Sequence, residues 1–278
     1  MISAVLETLR EAMKEQYFRK MLNHKEGKNP KEMSYDELKE FAENNNLLFL
    51  FKTEEEKFKK MMKNMNYAMS YLISLEGDVS FILEKLYSNS KNSFLVGGSV
   101  RDILLGKTPK DFDFVTDLSY DKLKEIFCSK EFSFKETGKQ FLVFNLNYNG
   151  VDYEIANFRK DGTYSDSRRP DSVSIGTIED DMNRRDFSIN AMYWNFDGII
   201  ATKQSINDIQ NKVLRFIGKP EDRIAEDALR VIRFYRILKS KELTPDEKSL
   251  RAVRTHFEKA MTVSPHRMMM EIERICLW

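Results

Sequence analysis

SFLVGGSVRDILLGKTPKDFDFVT, residues 93–116, decides how the chain is read. SFLV is a short β-type run, and Gly97-Gly98 ends it and opens SVRDILLG, a helix that Gly106 stops. DFDFVT is a second β-type run. Asp111 and Asp113 are two apart in it, so on a strand their side chains leave one face while Phe112 and Phe114 point the other way. Two carboxylates held by a strand whose reverse face is anchored in a core present hard oxygen ligands to Mg²⁺. Asp-x-Asp alone also reads as a polar strand edge; its upstream context favours the ligands. At the Gly-Gly junction backbone N–H groups can approach a phosphate because no Cβ stands in the way. Arg101, one turn into the helix, adds a fixed positive charge.

Further β-type runs follow: FLVFNLNY, VDYEIANF and VLRFIG. Asn149-Gly150 between the first two is a hairpin signal that makes them antiparallel partners. In the second of these runs Asp152 and Glu154 share one face, with Val151, Tyr153 and Ile155 on the other. Either acid can supply a third carboxylate, and spacing does not choose between them. A second helix spans about Tyr120 to Cys128 with Ser119 as its N-cap. Residues 92–218 therefore read as a small α+β domain.

Helical periodicity flanks it on both sides. In residues 1–91, Val5, Leu6, Leu9, Met13, Tyr17 and Met21 make one apolar stripe, and Ser34/Glu37 and Thr53/Glu56 read as capping boxes. The second of those helices runs to about Ser74, before Gly77 and Asp78 break it. In residues 219–278 the helical pattern returns near Asp222, breaks near Thr244-Pro245, and resumes over Asp246–Met261 and after Ser264-Pro265.

Composition bounds the function class. The chain has 278 residues, 41% apolar and 12% aromatic, which excludes disorder of the whole. Its longest aliphatic and aromatic run, Leu47–Phe51, is too short to span a bilayer, and its start lacks the apolar region of a signal peptide. Two cysteines, Cys128 and Cys276, make no disulfide framework or zinc cluster, which points to a reducing, cytoplasmic setting. With 45 Lys+Arg against 44 Asp+Glu the net charge is +1, so nucleic acid would be met by local basic patches rather than bulk charge.

GGSVRDILLGKTPKDFDFVT (Gly97 to Thr116) resembles the first motif of the class II tRNA nucleotidyltransferase (CCA-adding enzyme) and bacterial poly(A) polymerase family. YEIANFRKDGTYSDSRRPDSV (Tyr153 to Val173) is similar to that family's third-carboxylate strand and flexible loop. EDDMNRRDFSINAM (Glu179 to Met192) is similar to its ribose-recognising motif, and RIAEDALRVIRFYRI (Arg223 to Ile237) to its base-selecting motif. The resemblance covers about Phe94 to Ile275. It implies a polymerase-β-like nucleotidyltransferase head with a small mixed sheet, an N-terminal helical extension and C-terminal neck helices. It also implies that Asp111, Asp113 and Glu154, not Asp152, hold two Mg²⁺ ions. Gly98 and Arg101 would contact the nucleotide at its phosphates, and Arg185, Asp186 and Asn190, with Arg184 sharing the role, would hold it and let its sugar hydroxyls distinguish it from a deoxynucleotide. On its own, the Arg184–Asn190 segment also reads as a helix cap with ion pairs.

Asp227 and Arg230, three apart on a helix, would present an acceptor beside a fork of donors. Cytosine and adenine each offer an amino donor beside a ring-nitrogen acceptor and match that edge. Uracil and guanine reverse the order and leave buried polar groups unpaired, which discriminates strongly. Arg233 and Arg236 continue the basic stripe toward triphosphate or RNA, where the alternative is a solvated arginine face.

The expected activity is template-independent addition of C and A to the tRNA 3′ end from CTP and ATP. The flexible loop Asp161–Arg169 and the KETGKQFLVF segment (Lys135 to Phe144) favour full CCA addition. The rivals are a poly(A) polymerase or A-only adder on other RNA 3′ ends, and a catalytically silent RNA-binding scaffold. The helices of residues 1–91 are extra to the family pattern; they would hold RNA, make a homodimer, bind a partner protein, or cover apolar surface on the head.

Overall fold

The computed structural model describes residues 61–70, 72–74, 76–135, 142–163 and 170–276, with side chains as far as residue 273. Two compact units divide the chain, Met1–Met65 and Asn66–Trp278. The two expected capping boxes and any dimer or partner surface on the first helices lie outside the described residues. Among the described residues no helix is long and apolar enough to cross a membrane.

The second unit is built on a seven-stranded sheet. Its strands are β1 (Ser93–Val96), β2 (Asp113–Thr116), β3 (Phe132–Lys135), β4 (Val143–Tyr148), β5 (Val151–Asn157), β8 (Met192–Asn195) and β9 (Gly198–Ala201). They lie in the order β3-β4-β5-β2-β1-β8-β9. β2 and β5 pair in parallel and the other neighbours are antiparallel, so the sheet is mixed, as expected. β6 (Arg159–Asp161) and β7 (Val173–Ile175) make a separate ribbon. Asn149 and Gly150 take φ of 51° and 80°, the conformation that lets a two-residue turn follow the strand twist between β4 and β5.

The helix α1 (Gly77–Asn89), which the sequence reading assigns to the extension, lies in the same unit as the sheet and packs on β1. Its Val79, Ile82, Leu83 and Leu86 are at most 2% exposed. Each such side chain contributes about 1.5–3 kcal/mol on burial, so this stretch serves as a cover for the head. α2 (Gly98–Leu104) ends before Gly106, whose φ of 72° suits a residue without Cβ. α3 (Tyr120–Ile126) starts at Ser119, whose Oγ accepts the Lys122 N–H at 3.2 Å. α4 (Ile178–Arg184) opens on a capping box of Thr177 and Asp180. Its Ile178 and Met182 pack on a buried cluster of Phe94, Val96, Val115, Phe158 and Tyr193.

β8, inside the sheet, and β9, at its edge, are strands that the sequence reading does not single out. MYWN is buried at every position. It therefore lacks the alternation that marks a half-exposed strand. After α5 (Lys203–Gln210), β10 (Val213–Leu214) pairs in parallel with the distant β11 (Thr244–Pro245). The remaining helices are α6 (Pro220–Glu226), α7 (Leu229–Ser240), α8 (Glu247–Thr255), α9 (Phe257–Ala260) and α10 (Pro265–Cys276), with α7 packed along α10.

Candidate active site

A cavity of ≈430 Å³ opens where β1, α2 and β2 face α4 and α7. That volume is in the range of small-molecule sites. Nine cationic side chains and six aspartates line it, so a neutral chain concentrates its charge here. Twelve of the thirteen site residues expected from sequence lie on this wall; Glu154 does not.

The carboxylates come first. β2 begins at Asp113, because its ladder with Val96 and Glu154 starts there. Asp111 therefore precedes the strand, contrary to the expectation that one strand carries both acids. The two still line the same cavity, and Phe114 is buried behind them at 1% exposure. Glu154 sits directly opposite Asp113 in the β2/β5 register, exposed and outside the cavity wall. Among the described residues no three Asp, Glu, His or Cys side chains form a group that could enclose an ion. Two carboxylates opening into a cavity lined by nine cationic side chains nevertheless fit Mg²⁺, which is commonly held by one or two carboxylates plus substrate phosphates rather than by an all-protein cage.

The Gly-Gly junction has a specific reason for its first glycine. Gly97 has φ 76° and ψ −125°, and a Cβ there would stand 3.2 Å from Nη1 of Arg185. At Gly98 a Cβ would meet Nη2 of Arg101 at 3.5 Å, an ordinary contact.

Behind these residues runs a buried polar network. Arg101 donates from Nε to Asp102 Oδ1 at 2.8 Å and from Nη1 to Asn190 Oδ1 at 2.6 Å. Asn190 donates in turn to Asp186 Oδ1 at 2.9 Å, and Asp186 Oδ2 faces Arg233 at 2.9 Å. The other oxygen of Asp102 meets Nζ of Lys241, 3% exposed, at 3.1 Å. Burial alone would raise the Asp186 pKa, but Arg233, Asn190 and Arg230 outweigh it and hold the carboxyl below its usual range. Asp186 in turn pushes Arg233 up. Burial pushes the Lys241 ammonium down even with Asp102 beside it.

A second knot centres on Asp181, which is fully buried. Its Oδ1 accepts from Arg184 Nε at 2.7 Å; its Oδ2 accepts from Arg185 Nη2 at 2.8 Å and the Tyr193 hydroxyl at 2.5 Å. Thus Arg184 and Arg185 do form the ion pairs of a helix end, and they line the cavity at the same time. Burial raises the Tyr193 pKa and lowers that of Arg184. Burial also opposes the charge on Arg185, but Tyr193 and Asp181 raise its pKa on balance.

The Asp227/Arg230 edge is built differently from the expected continuous helix. Asp227 has extended backbone (φ −151°, ψ 108°) between α6 and α7. Its Oδ1 accepts the Leu229 N–H at 3.0 Å, a local bond that competes with helix propagation. Its Oδ2 accepts from Arg267 of α10 at 2.9 Å. Arg230, 7% exposed, donates to Glu226, to the Arg223 carbonyl and to the Arg184 carbonyl. Both side chains line the cavity, held from opposite sides. Arg236 pairs with Glu271 of α10, so Arg233 and Arg236 are ion-paired wall residues rather than a solvated face.

The residues not singled out from sequence are Asp102, Asp181, Tyr193, Lys110, Arg159, Lys241 and Arg267. Asp181 was legible in principle, three and four residues before Arg184 and Arg185 on one helix. Lys241 and Arg267 carry no local signal; they reach partners 139 and 40 positions away only through the fold.

Residues 93–215 match the poly A polymerase head domain family. The chain is 34% identical over 198 residues to a CCA-adding enzyme of Lactobacillus delbrueckii subsp. bulgaricus, covering 70% of this chain and 49% of that protein. It is 35% identical over 211 residues to one of Streptococcus thermophilus, covering 75% and 52% respectively. The chain thus spans about half the length of the curated relatives it matches. The crystal structure of Bacillus stearothermophilus CCA-adding enzyme in complex with CTP superposes with TM-score 0.61 at 28% identity, over 70% of this chain and 46% of that one.

Proposed function

Since residues 93–215 match the poly A polymerase head domain family and the chain is similar to CCA-adding enzymes, we propose that the protein adds C and A nucleotides to tRNA 3′ ends from CTP and ATP. The observation that carries this reading is one cavity joining Asp111 and Asp113 to the Gly97-Gly98 junction, the arginines and the Asp227/Arg230 pair. The 3′ oxygen of the RNA bonds to the α-phosphorus as the bond to the bridging oxygen breaks, pyrophosphate leaves, and the hydroxyl proton is lost. Asp111 and Asp113, with Glu154 one strand away, would hold a divalent ion, which would supply Lewis-acid activation of the hydroxyl and neutralise the leaving group.

The chain's own groups do the rest. Gly97 and Gly98 let the triphosphate approach the α2 backbone, and Arg101, locked by Asp102 and Asn190, offers it a positive charge. Asp186 and Asn190 meet the ribose hydroxyls, and Arg184 and Arg185, fixed by Asp181, close the phosphate side. Asp227 and Arg230 read the amino and ring-nitrogen edge shared by cytosine and adenine. Arg233 and Arg236 complete the basic wall.

The test is extension of labelled tRNAs ending at the discriminator base, at C and at CC, with each NTP and Mg²⁺, beside the Asp111→Ala/Asp113→Ala double variant. Two C then one A, absent in the variant, is the expected result. A ladder of A on any RNA would move the assignment to poly(A) synthesis, and no extension would refute the enzymatic reading.

A further inference from the structure

α7 reaches the head at two places, and the two are joined through Arg101. Midway along α7, Arg233 meets Asp186 Oδ2 at 2.9 Å; Asp186 Oδ1 accepts from Asn190, whose own side-chain oxygen accepts from Nη1 of Arg101. Just past the last turn of α7, Lys241 Nζ stands 3.1 Å from Asp102 Oδ2, while Asp102 Oδ1 holds both Nε and Nη2 of Arg101 at 2.8 Å. The contacts are unbroken: they leave α7 at Arg233, pass through Arg101 and return at Lys241. Arg101, Asp102, Asp186, Asn190 and Lys241 are all buried. Two physical points single out Lys241. Arg101 and Asp102 are consecutive in α2, and consecutive residues do not face each other on a helix, so their pairing needs an anchor from outside. Lys241 supplies it by taking the carboxylate oxygen that Arg101 leaves. One carboxylate also serves two cations, so the trio keeps one positive charge on the cavity wall, where an unshared Asp102 would cancel Arg101.

We propose that Lys241 is a positioning residue for the triphosphate: from the end of α7 it fixes Asp102, and through Asp102 the guanidinium of Arg101. The role rests on the nucleotidyltransferase reading above. The arginine that the head offers to the phosphates is then set only with α7 in place, which ties the phosphate end of the nucleotide to the helix that carries Arg230. Lys107 provides the control. It too fastens the end of α2 to the end of α7, donating to the Ser240 carbonyl at 3.1 Å and to Glu242 Oε1 at 2.9 Å, but both bonds bypass the Asp102 carboxylate.

The experiment titrates the full chain with CTP and with inorganic tripolyphosphate by calorimetry, after thermal unfolding has shown each variant folded. Lys241→Met should weaken both ligands about tenfold, the scale of one lost hydrogen bond to a charged group, and Lys241→Arg should restore part of it. In an Arg101→Ala background Lys241→Met should make no further difference, because its effect runs through Arg101. Lys107→Met should leave both affinities unchanged. Should Lys241→Met not fold, Lys241→Gln, which keeps a donor without the charge, is read the same way. Unchanged affinity in the folded Lys241 variants would overturn the role. So would a loss that persists in full in the Arg101→Ala background, which would put Lys241 on the phosphate itself, or an equal loss in Lys107→Met, which would leave Lys241 a fastener of the helix end. Wild-type protein that binds neither ligand would instead overturn the reading on which the role rests.

Discussion

Asp181→Asn tests whether the buried knot behind the arginine-lined cavity wall holds it in place. The carboxylate has no exposed surface and accepts from two arginines and a tyrosine. An amide of the same shape turns one oxygen into an NH₂ group. Whichever way it flips, that group faces a guanidinium, donor against donor, and two partly buried arginines lose their counter-charge. Hydrogen bonds to charged groups contribute about 1.5–3 kcal/mol each, and removing one partner of a buried ion pair costs about 3–5 kcal/mol. The expected loss is therefore about 3–5 kcal/mol, read from guanidinium chloride unfolding at pH 7. At about 2–4 °C per kcal/mol for a unit of this size, the melting temperature should fall by roughly 6–20 °C.

The pH dependence has a definite sign. Burial raises the Asp181 pKa, but Arg185 and Arg184 outweigh it, so its pKa in the folded protein lies below the unfolded value of 3.8. The carboxylate's contribution is fully present above that value and is lost as pH falls through the depressed folded pKa. The gap between wild type and variant should accordingly narrow on acidification below the ordinary aspartate range. A loss under about 1 kcal/mol at pH 7, against the handful expected for a buried pair, would refute the assignment. So would a gap that stays constant down to the acid limit.

Gly97→Ala forces a side chain into a glycine-only region of backbone space and to 3.2 Å from Arg185, so it should destabilise by about 1–3 kcal/mol and weaken CTP binding in titration calorimetry. Lys241→Met removes the partner that holds Asp102 against Arg101; nucleotide affinity should drop about tenfold, and Lys241→Arg should restore part of it. Arg267→Ala frees one oxygen of Asp227, and the ratio of CTP to UTP incorporation should fall while extension persists; an unchanged ratio would show that Asp227 is positioned without α10.

Local chemistry explains what was legible in the sequence. The α2 stop at Gly106, the Ser119 cap and the Asn149-Gly150 turn depend on neighbours within a few residues, and each stands where that chemistry puts it. β8 was missed because burial at every position erases the alternation that reveals a strand. The Asp227/Arg230 helix was misread because helical spacing does not register a side chain that bonds its own backbone two residues on.

By itself the sequence determined the composition of the site: which acids, arginines and glycines could meet a nucleotide, and in what order along the chain. It could do so because strand period, glycine freedom and carboxylate chemistry are properties of short segments. Tertiary structure alone decided who holds whom. Lys241 on Asp102, Arg267 on Asp227 and Arg233 on Asp186 join segments far apart in the chain. Such contacts exist only once packing has brought buried charges within hydrogen-bond reach, where leaving any of them unpaired would cost more than the pairing.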